Sequence, residues 1–205
     1  MKNFIEVGKT DEEQAEQIKK WIKENGLQII IGILLGFGGI FGFNYYDQSQ
    51  HEQALKSRNY YLSVVANPNN TQAIEALKTE HAGSSYVDLM TLVLAKNAVN
   101  KEEYQQALDY LIPLMDNEDE FIMHNVKLKV ANIYLEINKP DQALSTLGEY
   151  KNKTFGVLYD DLKGDIYLVQ GKVEMAKKYY QSAFKQLSDD SELKNLIQIK
   201  FNDLN

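Results

Sequence analysis

His51, His81 and His124 are the side chains best suited to acid–base or metal chemistry, and they lie far apart in the chain. None has a second histidine or a glutamate at the spacing that puts two zinc ligands on one helical face. They read as surface or capping residues. The acidic run Asp116-Asn117-Glu118-Asp119-Glu120 has the composition of a calcium loop. Such a loop needs glycine at its sixth position and glutamate at its twelfth, where this chain has Phe121 and Lys127. The run is better read as a solvated turn, with acids at the positive end of the next helix. Gly164 and Gly171-Lys172 are too far apart for a phosphate loop, and Val173 stands where that loop needs a hydroxyl. They read as a helix and a turn. Asn69-Asn70-Thr71 and Asn152-Lys153-Thr154 fit the N-glycosylation pattern, which has meaning only in a eukaryotic secretory pathway. The chain has no cysteine, which removes thiol catalysis, disulfides and cysteine metal sites. These residues predict no enzyme activity, no metal, no cofactor and no small-molecule substrate.

Charge narrows the partners. The net charge is −7, of which residues 1–25 carry −1 and the residues after 46 carry −6. Phosphate binding needs a basic footprint, so a nucleic-acid partner is not expected.

The elements that carry the remaining residues begin with an apolar run. Between Glu24 and Asp47 there are twenty-two residues without a charge. A helix needs about 20 such residues to cross a hydrocarbon core of about 30 Å. Trp21 precedes the run and Tyr45 and Tyr46 follow it, so a helix over 21–46, roughly 37 Å long, sets aromatics near both headgroup layers. The run is too long for a signal-peptide core, and its one small-x-small triplet, Gly36-Phe37-Gly38, sits in its middle. The reading is an uncleaved transmembrane helix over 26–46. Lys19, Lys20 and Lys23 crowd its amino-terminal side, whereas the other flank reaches its first lysine only at Lys56. Lysines stay on the cytoplasmic side, which places residues 1–25 inside as a cytoplasmic tail and residues 47–205 outside. Gly32 and Gly36, and Gly38 and Gly42, are each four apart and open flat strips where another helix can pack. Glycine is also simply common in membrane helices, and both readings stand.

In the tail, Thr10 with Glu13 three residues later is a capping box. Ala15, Ile18, Trp21 and Ile22 share a face, and Asn25-Gly26 is the expected stop. The tail is then either an amphipathic helix on the lipid surface or a plain topology signal.

After Asp47 the chain has no β-type alternation. Ala73, Ala107, Ala143 and Ala176 recur 34, 36 and 33 residues apart in similar surroundings. Twelve residues before the last three lie Ala95, Ala131 and Gly164, and four residues after all four lie Leu77, Leu111, Leu147 and Tyr180. A period near 34 is that of stacked helical hairpins. The small residues let two helices of a hairpin approach, and the large residue fills the space between hairpins. This pattern resembles the tetratricopeptide repeat family, best over Leu162–Phe184 and poorest over Ser57–Glu80, where Tyr61 replaces the small residue. The resemblance implies an all-α chain: a single transmembrane helix followed by a degenerate tetratricopeptide-repeat-like solenoid. Asp189 with Glu192 is expected to start a capping helix whose Leu193, Leu196, Ile197, Lys200, Phe201 and Leu204 face the last hairpin. The absence of glycine and proline from 44 to 65 predicts that the membrane helix continues to Asn67-Pro68, with Ala54, Leu55, Tyr61 and Leu62 able to face the core.

Repeats of this family present the first helix of each pair to a groove. Carried over residue by residue, the groove comprises Leu92, Lys96 and Val99, then Asn125, Leu128, Asn132, Leu135 and Glu136, and then Asp161, Asp165 and Leu168. Leucines beside amides and acids suit a peptide segment, unless the leucines belong to the core.

The whole layout resembles the ancillary subunits of the bacterial Sec translocon, the YfgM family. The likeness rests on Glu24-Asn25-Gly26 entering Gly32-x-x-x-Gly36-x-Gly38, on the Tyr45-Tyr46 exit, on Asp161-Leu162-Lys163-Gly164-Asp165, and on the ending Ile197 to Leu204. It implies a single-pass inner-membrane protein with a periplasmic repeat domain beside the Sec translocon. It also implies a membrane-anchored periplasmic chaperone of the prolyl-isomerase type as partner, with hand-over of translocated proteins as the role. The competing expectation is a regulatory anchor whose cytoplasmic tail sequesters a signalling protein while its outer repeats sense envelope stress.

Overall fold

The computed structural model describes residues 10–150 and 154–204, so the Asn152 sequon falls outside the described residues. Among these residues the regular structure is helical throughout. The chain divides into two compact units, the first ending at Lys56 and the second beginning at Ser57.

The first unit is built on α1, Asp11–Ala66. Its start has the expected capping contact: the Thr10 amide donates to Glu13 Oε2 at 3.3 Å. The expected stop at Asn25-Gly26 does not occur. The Asn25 amide nitrogen instead donates to the Trp21 carbonyl at 3.0 Å, turning the side chain back onto its own helix. One glycine costs a helix only about 1 kcal/mol, too little to end it between two runs that propagate well. Residues 47–51 are helical, within the 56 residues of α1. It is the one helix among the described residues long and apolar enough to cross a bilayer, and its apolar window is wholly unburied. A core helix of a soluble protein would show the opposite. A methyl group added at Gly32, Gly36, Gly38 or Gly42 would meet nothing within 4 Å.

The second unit starts with the last turns of α1. They bury Ser57 and Val64 and pack Tyr60 and Tyr61 beside them, whereas Leu62 is exposed, as are Ala54 and Leu55 of the first unit. The core stripe is therefore 57, 60/61 and 64: Tyr61 faces the core as expected, whereas Leu55 and Leu62 do not. The helix ends at Ala66, before Asn67-Pro68, as proline requires of its predecessor. Asn70, the middle residue of the first sequon, then caps α2 (Thr71–Thr79) by accepting from the Ala73 amide at 3.1 Å.

Three further hairpins follow: α3 (Tyr86–Asn100) with α4 (Tyr104–Leu111), α5 (Glu120–Glu136) with α6 (Pro140–Leu147), and α7 (Gly156–Val169) with α8 (Val173–Lys185). A 3₁₀ turn, Ile112–Asp116, takes Pro113 where α4 ends. Asp119 caps α5, its carboxylate accepting from the Phe121 and Ile122 amides, which gives the acidic run its structural role.

These three hairpins bend in the same way. Glu102, Asn138 and Gly171 lie five residues before Ala107, Ala143 and Ala176, and all three have positive φ, at 62°, 56° and 72°. The next residue's amide reaches back to close the helix: Glu103 to Ala98, Lys139 to Tyr134 and Lys172 to Tyr167, at 2.7–2.9 Å. This is one left-handed C-terminal cap used three times. Only one of the three positions carries glycine.

The repeat residues occupy the places their spacing predicts. Ala73, Ala107, Ala143 and Ala176 are buried, as are Leu77, Leu111, Leu147 and Tyr180. Ala95 and Leu111 share one core cluster, and Ala131 and Leu147 the next. In the last hairpin the small partner is glycine because the large one is tyrosine. A methyl group on Gly164 would lie 2.5 Å from Tyr180 Cδ1 and closer still to Cε1.

The chain closes with α9, Glu192–Asn202. It begins after Asp189, whose carboxylate instead pairs with Lys194 at 2.5 Å. Ile197 is fully buried, with Leu193, Phe201 and Leu204 packed on the Ala176–Tyr180–Ala183 cluster. Leu196 departs from the expected face and is 49% exposed.

Candidate functional site

The first helices of the second and third hairpins, α3 and α5, border an open cleft of about 520 Å³. Ala95, Leu111 and Ile133 form its buried floor. Tyr61, Leu89, Leu92, Val93 and Val99 are half-buried along its sides, and Lys96, Lys129 and Asn132 are exposed at its rim. The local sequence explains the placement. Leu89, Leu92, Val93, Lys96 and Val99 follow helical spacing along one stripe of α3, and Lys129, Asn132 and Ile133 do so on α5. Tyr61 comes from the end of α1, at the position where other hairpins carry a small residue, and its ring tilts against Tyr86 at 5.5 Å. An apolar trough with a few polar groups at its edge can hold side chains of another chain.

The structure brings Leu92, Lys96, Val99 and Asn132 together in this cleft. The other proposed groove residues are placed elsewhere. Leu128 and Leu135 pack on the cluster built by α6 and α7. Asn125 is half-buried, and Glu136 and Leu168 are exposed outside the cleft lining. Asp161 and Asp165 meet Lys200 of α9, whose ammonium donates to both carboxylates at 2.9 Å. Asp165 also accepts from the Tyr180 hydroxyl at 2.7 Å. Burial alone would lower the Lys200 pKa, but hydrogen bonds to the two carboxylates outweigh it and hold the ammonium above its ordinary range. Asp161 is pushed up by its own burial, against which Lys200 pulls. These acids fasten the capping helix. Leu89, Val93 and Lys129 were not anticipated, although the same helical spacing that selects Leu92, Lys96 and Asn132 points to them.

The histidines need correcting too. His81 and His124 are buried, not on the surface. His124 Nδ1 lies 2.8 Å from the Tyr159 hydroxyl and its ring stacks on Phe155 at 4.6 Å. Burial lowers the His124 pKa and pushes the Tyr159 hydroxyl up to about 12. Nearby, Asp160 is buried and accepts from Ser182 and Gln186, at 2.6 and 2.7 Å. Lys163 donates to the Gly148 carbonyl at 2.6 Å and lies over the Tyr150 ring. Every partner in these two groups comes from α5 to α8, from the residue that ends α8, or from the α6–α7 connection. They read as braces between hairpins, not as a reaction centre.

The sequence pattern of the family described as tetratricopeptide repeat-like domain matches residues 19–205. The ancillary SecYEG translocon subunit of Escherichia coli (strain K12) is 27% identical over 206 residues, 98% of this chain and 99% of its own length. Its namesakes in Haemophilus influenzae and Aggregatibacter actinomycetemcomitans are 28% and 30% identical, each over 95% of this chain and 97% of the relative. No solved structure matches. With one family pattern over nearly the whole chain, and near-full-length likeness to these proteins at 27–30% identity, the chain belongs to the tetratricopeptide repeat-like family of ancillary Sec translocon subunits, the YfgM family.

Proposed function

We propose that this chain is a single-pass protein of the bacterial inner membrane, with residues 1–25 in the cytoplasm and residues 47–205 in the periplasm. It stands beside the Sec translocon and docks a membrane-anchored periplasmic chaperone of the prolyl-isomerase type. In that place it assists the hand-over of translocated proteins. Three things support the reading. The relatives are ancillary translocon subunits over essentially their whole length. Lysines flank the amino-terminal side of an unburied apolar helix. The α3–α5 cleft, which carries the proposal, is an apolar trough open to a partner chain. In the bilayer, the strips at Gly32/Gly36 and Gly38/Gly42 let a neighbouring helix approach closely.

The test is site-specific photocrosslinking in intact cells. Probes at Asn132 and Lys96 should capture the periplasmic chaperone, and probes at Gly36 or Gly38 a translocon helix. Probes at Ile18 and Trp21, on the tail, distinguish the regulatory anchor. Capture of a cytosolic protein from the tail alone, with silence from Asn132 and Lys96, would defeat the docking role.

A further inference from the structure

We infer that the α3–α5 cleft takes a peptide segment of one chemical type: apolar anchors flanked by carboxylates. This deepens the docking role proposed above and rests on it. The length of the trough argues for a segment instead of a compact ligand. Leu89 and Val99 both line it, ten residues apart on α3, so the apolar strip runs about 15 Å. An extended or helical segment can place two or three side chains along that length.

The flanking charge follows from the rim. Lys96 of α3 and Lys129 of α5 both border the trough. Neither has an acidic partner among the described residues, and both are exposed. Among the described residues the lysines that pair with acids, Lys177, Lys194 and Lys200, lie on α8 and α9; most other lysines form no ion pair, and what marks Lys96 and Lys129 is their place at the rim of an apolar trough. The residues after 46 carry −6 overall, so two unpaired cations from different helices at one apolar trough run against the background charge. At physiological ionic strength charges act over about 8 Å. A carboxylate seated at the rim therefore senses these two lysines, opposed by Glu136, which lies one turn beyond Asn132 on α5.

The test uses the full chain in neutral-lipid nanodiscs and fluorescent peptides sharing one Leu/Phe-containing centre. The flanks are two glutamates, two glutamines or two lysines on each side. The glutamate-flanked peptide should bind about tenfold tighter than the lysine-flanked one at low salt, and the preference should vanish near 1 M salt. The Lys96→Glu/Lys129→Glu chain should reverse the order of the peptides. Asn132→Trp, which fills the trough from an exposed position, should abolish binding of all three. Circular dichroism confirms that each variant is folded. Equal affinity for the three peptides, no binding by any of them, or an order unchanged by the charge reversal would overturn the inference. The docking role is scored separately. If Asn132 still captures the chaperone in cells whether or not the two lysines are reversed, the charge inference falls and the docking role stands. Silence at Asn132 in the wild-type background takes down the docking role itself.

Discussion

Gly164→Ala tests the small-against-large rule that orders the stack. The added methyl would lie about 1 Å inside ordinary contact with the Tyr180 ring. That ring has little freedom to retreat. Tyr180 is 1% exposed, its hydroxyl is tied to Asp165 at 2.7 Å, and Lys200 covers its face at 5.6 Å. Overpacking of this kind costs about 1–3 kcal/mol. For a chain of this size each kcal/mol lowers Tm by about 2–4 °C. Tyr180→Leu alone leaves a void and an unsatisfied site at Asp165, and costs about 2–4 kcal/mol. The pair should cost less than the sum of the two. Gly164→Ala/Tyr180→Leu re-creates the alanine–leucine combination that Ala95 with Leu111 and Ala131 with Leu147 already use. We expect a favourable coupling of about 1–2 kcal/mol. Thermal and urea unfolding of the four chains, followed by far-ultraviolet circular dichroism, measure it. Strict additivity, or a double variant worse than the sum, would refute the rule as the cause of the glycine.

Other outcomes follow from the same structure. Glu102 holds a left-handed conformation that costs a residue with a Cβ about 1–2 kcal/mol, so Glu102→Gly should raise stability by roughly 1 kcal/mol, while Gly171→Ala should lower it similarly. Urea midpoints read both. Lys200→Met leaves Asp161 and Asp165 without their ammonium and should cost about 1–3 kcal/mol, with α9 the first segment to lose amide-exchange protection. The Lys200 pKa is raised in the folded state, so its stabilisation is complete below the unfolded lysine value near 10.5 and is lost as pH rises through the folded value. Buried tyrosines with raised pKa also weaken the fold at alkaline pH. The informative measurement is therefore the Tm difference between wild type and Lys200→Arg, which should grow in favour of arginine above about pH 10.5 because arginine stays charged. Gly36→Lys puts a charge near the centre of the apolar run at about 2.5–3.5 kcal/mol of insertion free energy, so a larger fraction should be extracted by alkaline carbonate.

The parts of the fold that were legible in the sequence are those fixed by strict spacing. The four alanines, their large partners four residues on and the small residues twelve before announced the hairpins, and all those residues are buried where that spacing requires. Proline at 68 marked the end of α1 because its effect on the preceding residue is local and large. The failures came where the opposing terms are small. Asn25-Gly26 looked like a stop, but a helix with good propagators on both sides absorbs one glycine. On the core face of residues 54–64 Tyr61 was legible, but Leu55 and Leu62 were not distinguishable from Val64, because they populate adjacent stripes and only tertiary packing chooses between them. The site was partly legible for the same reason. Helical period identifies a stripe on α3 or α5, but it does not say which α7 carboxylates α9 will claim. Asp161 and Asp165 were taken by Lys200, from thirty-five or more residues away. His124 gave no signal at all, since its burial depends on Tyr159 arriving from another helix.

We propose a membrane-held helical stack that works outside the cytoplasm, and its orientation is the most direct test. Protease added to the outer face of spheroplasts should digest the residues beyond Tyr46 and leave a membrane fragment of about the first fifty residues, detectable through an amino-terminal tag. Survival of the helical stack, with loss of the tag instead, would contradict the account.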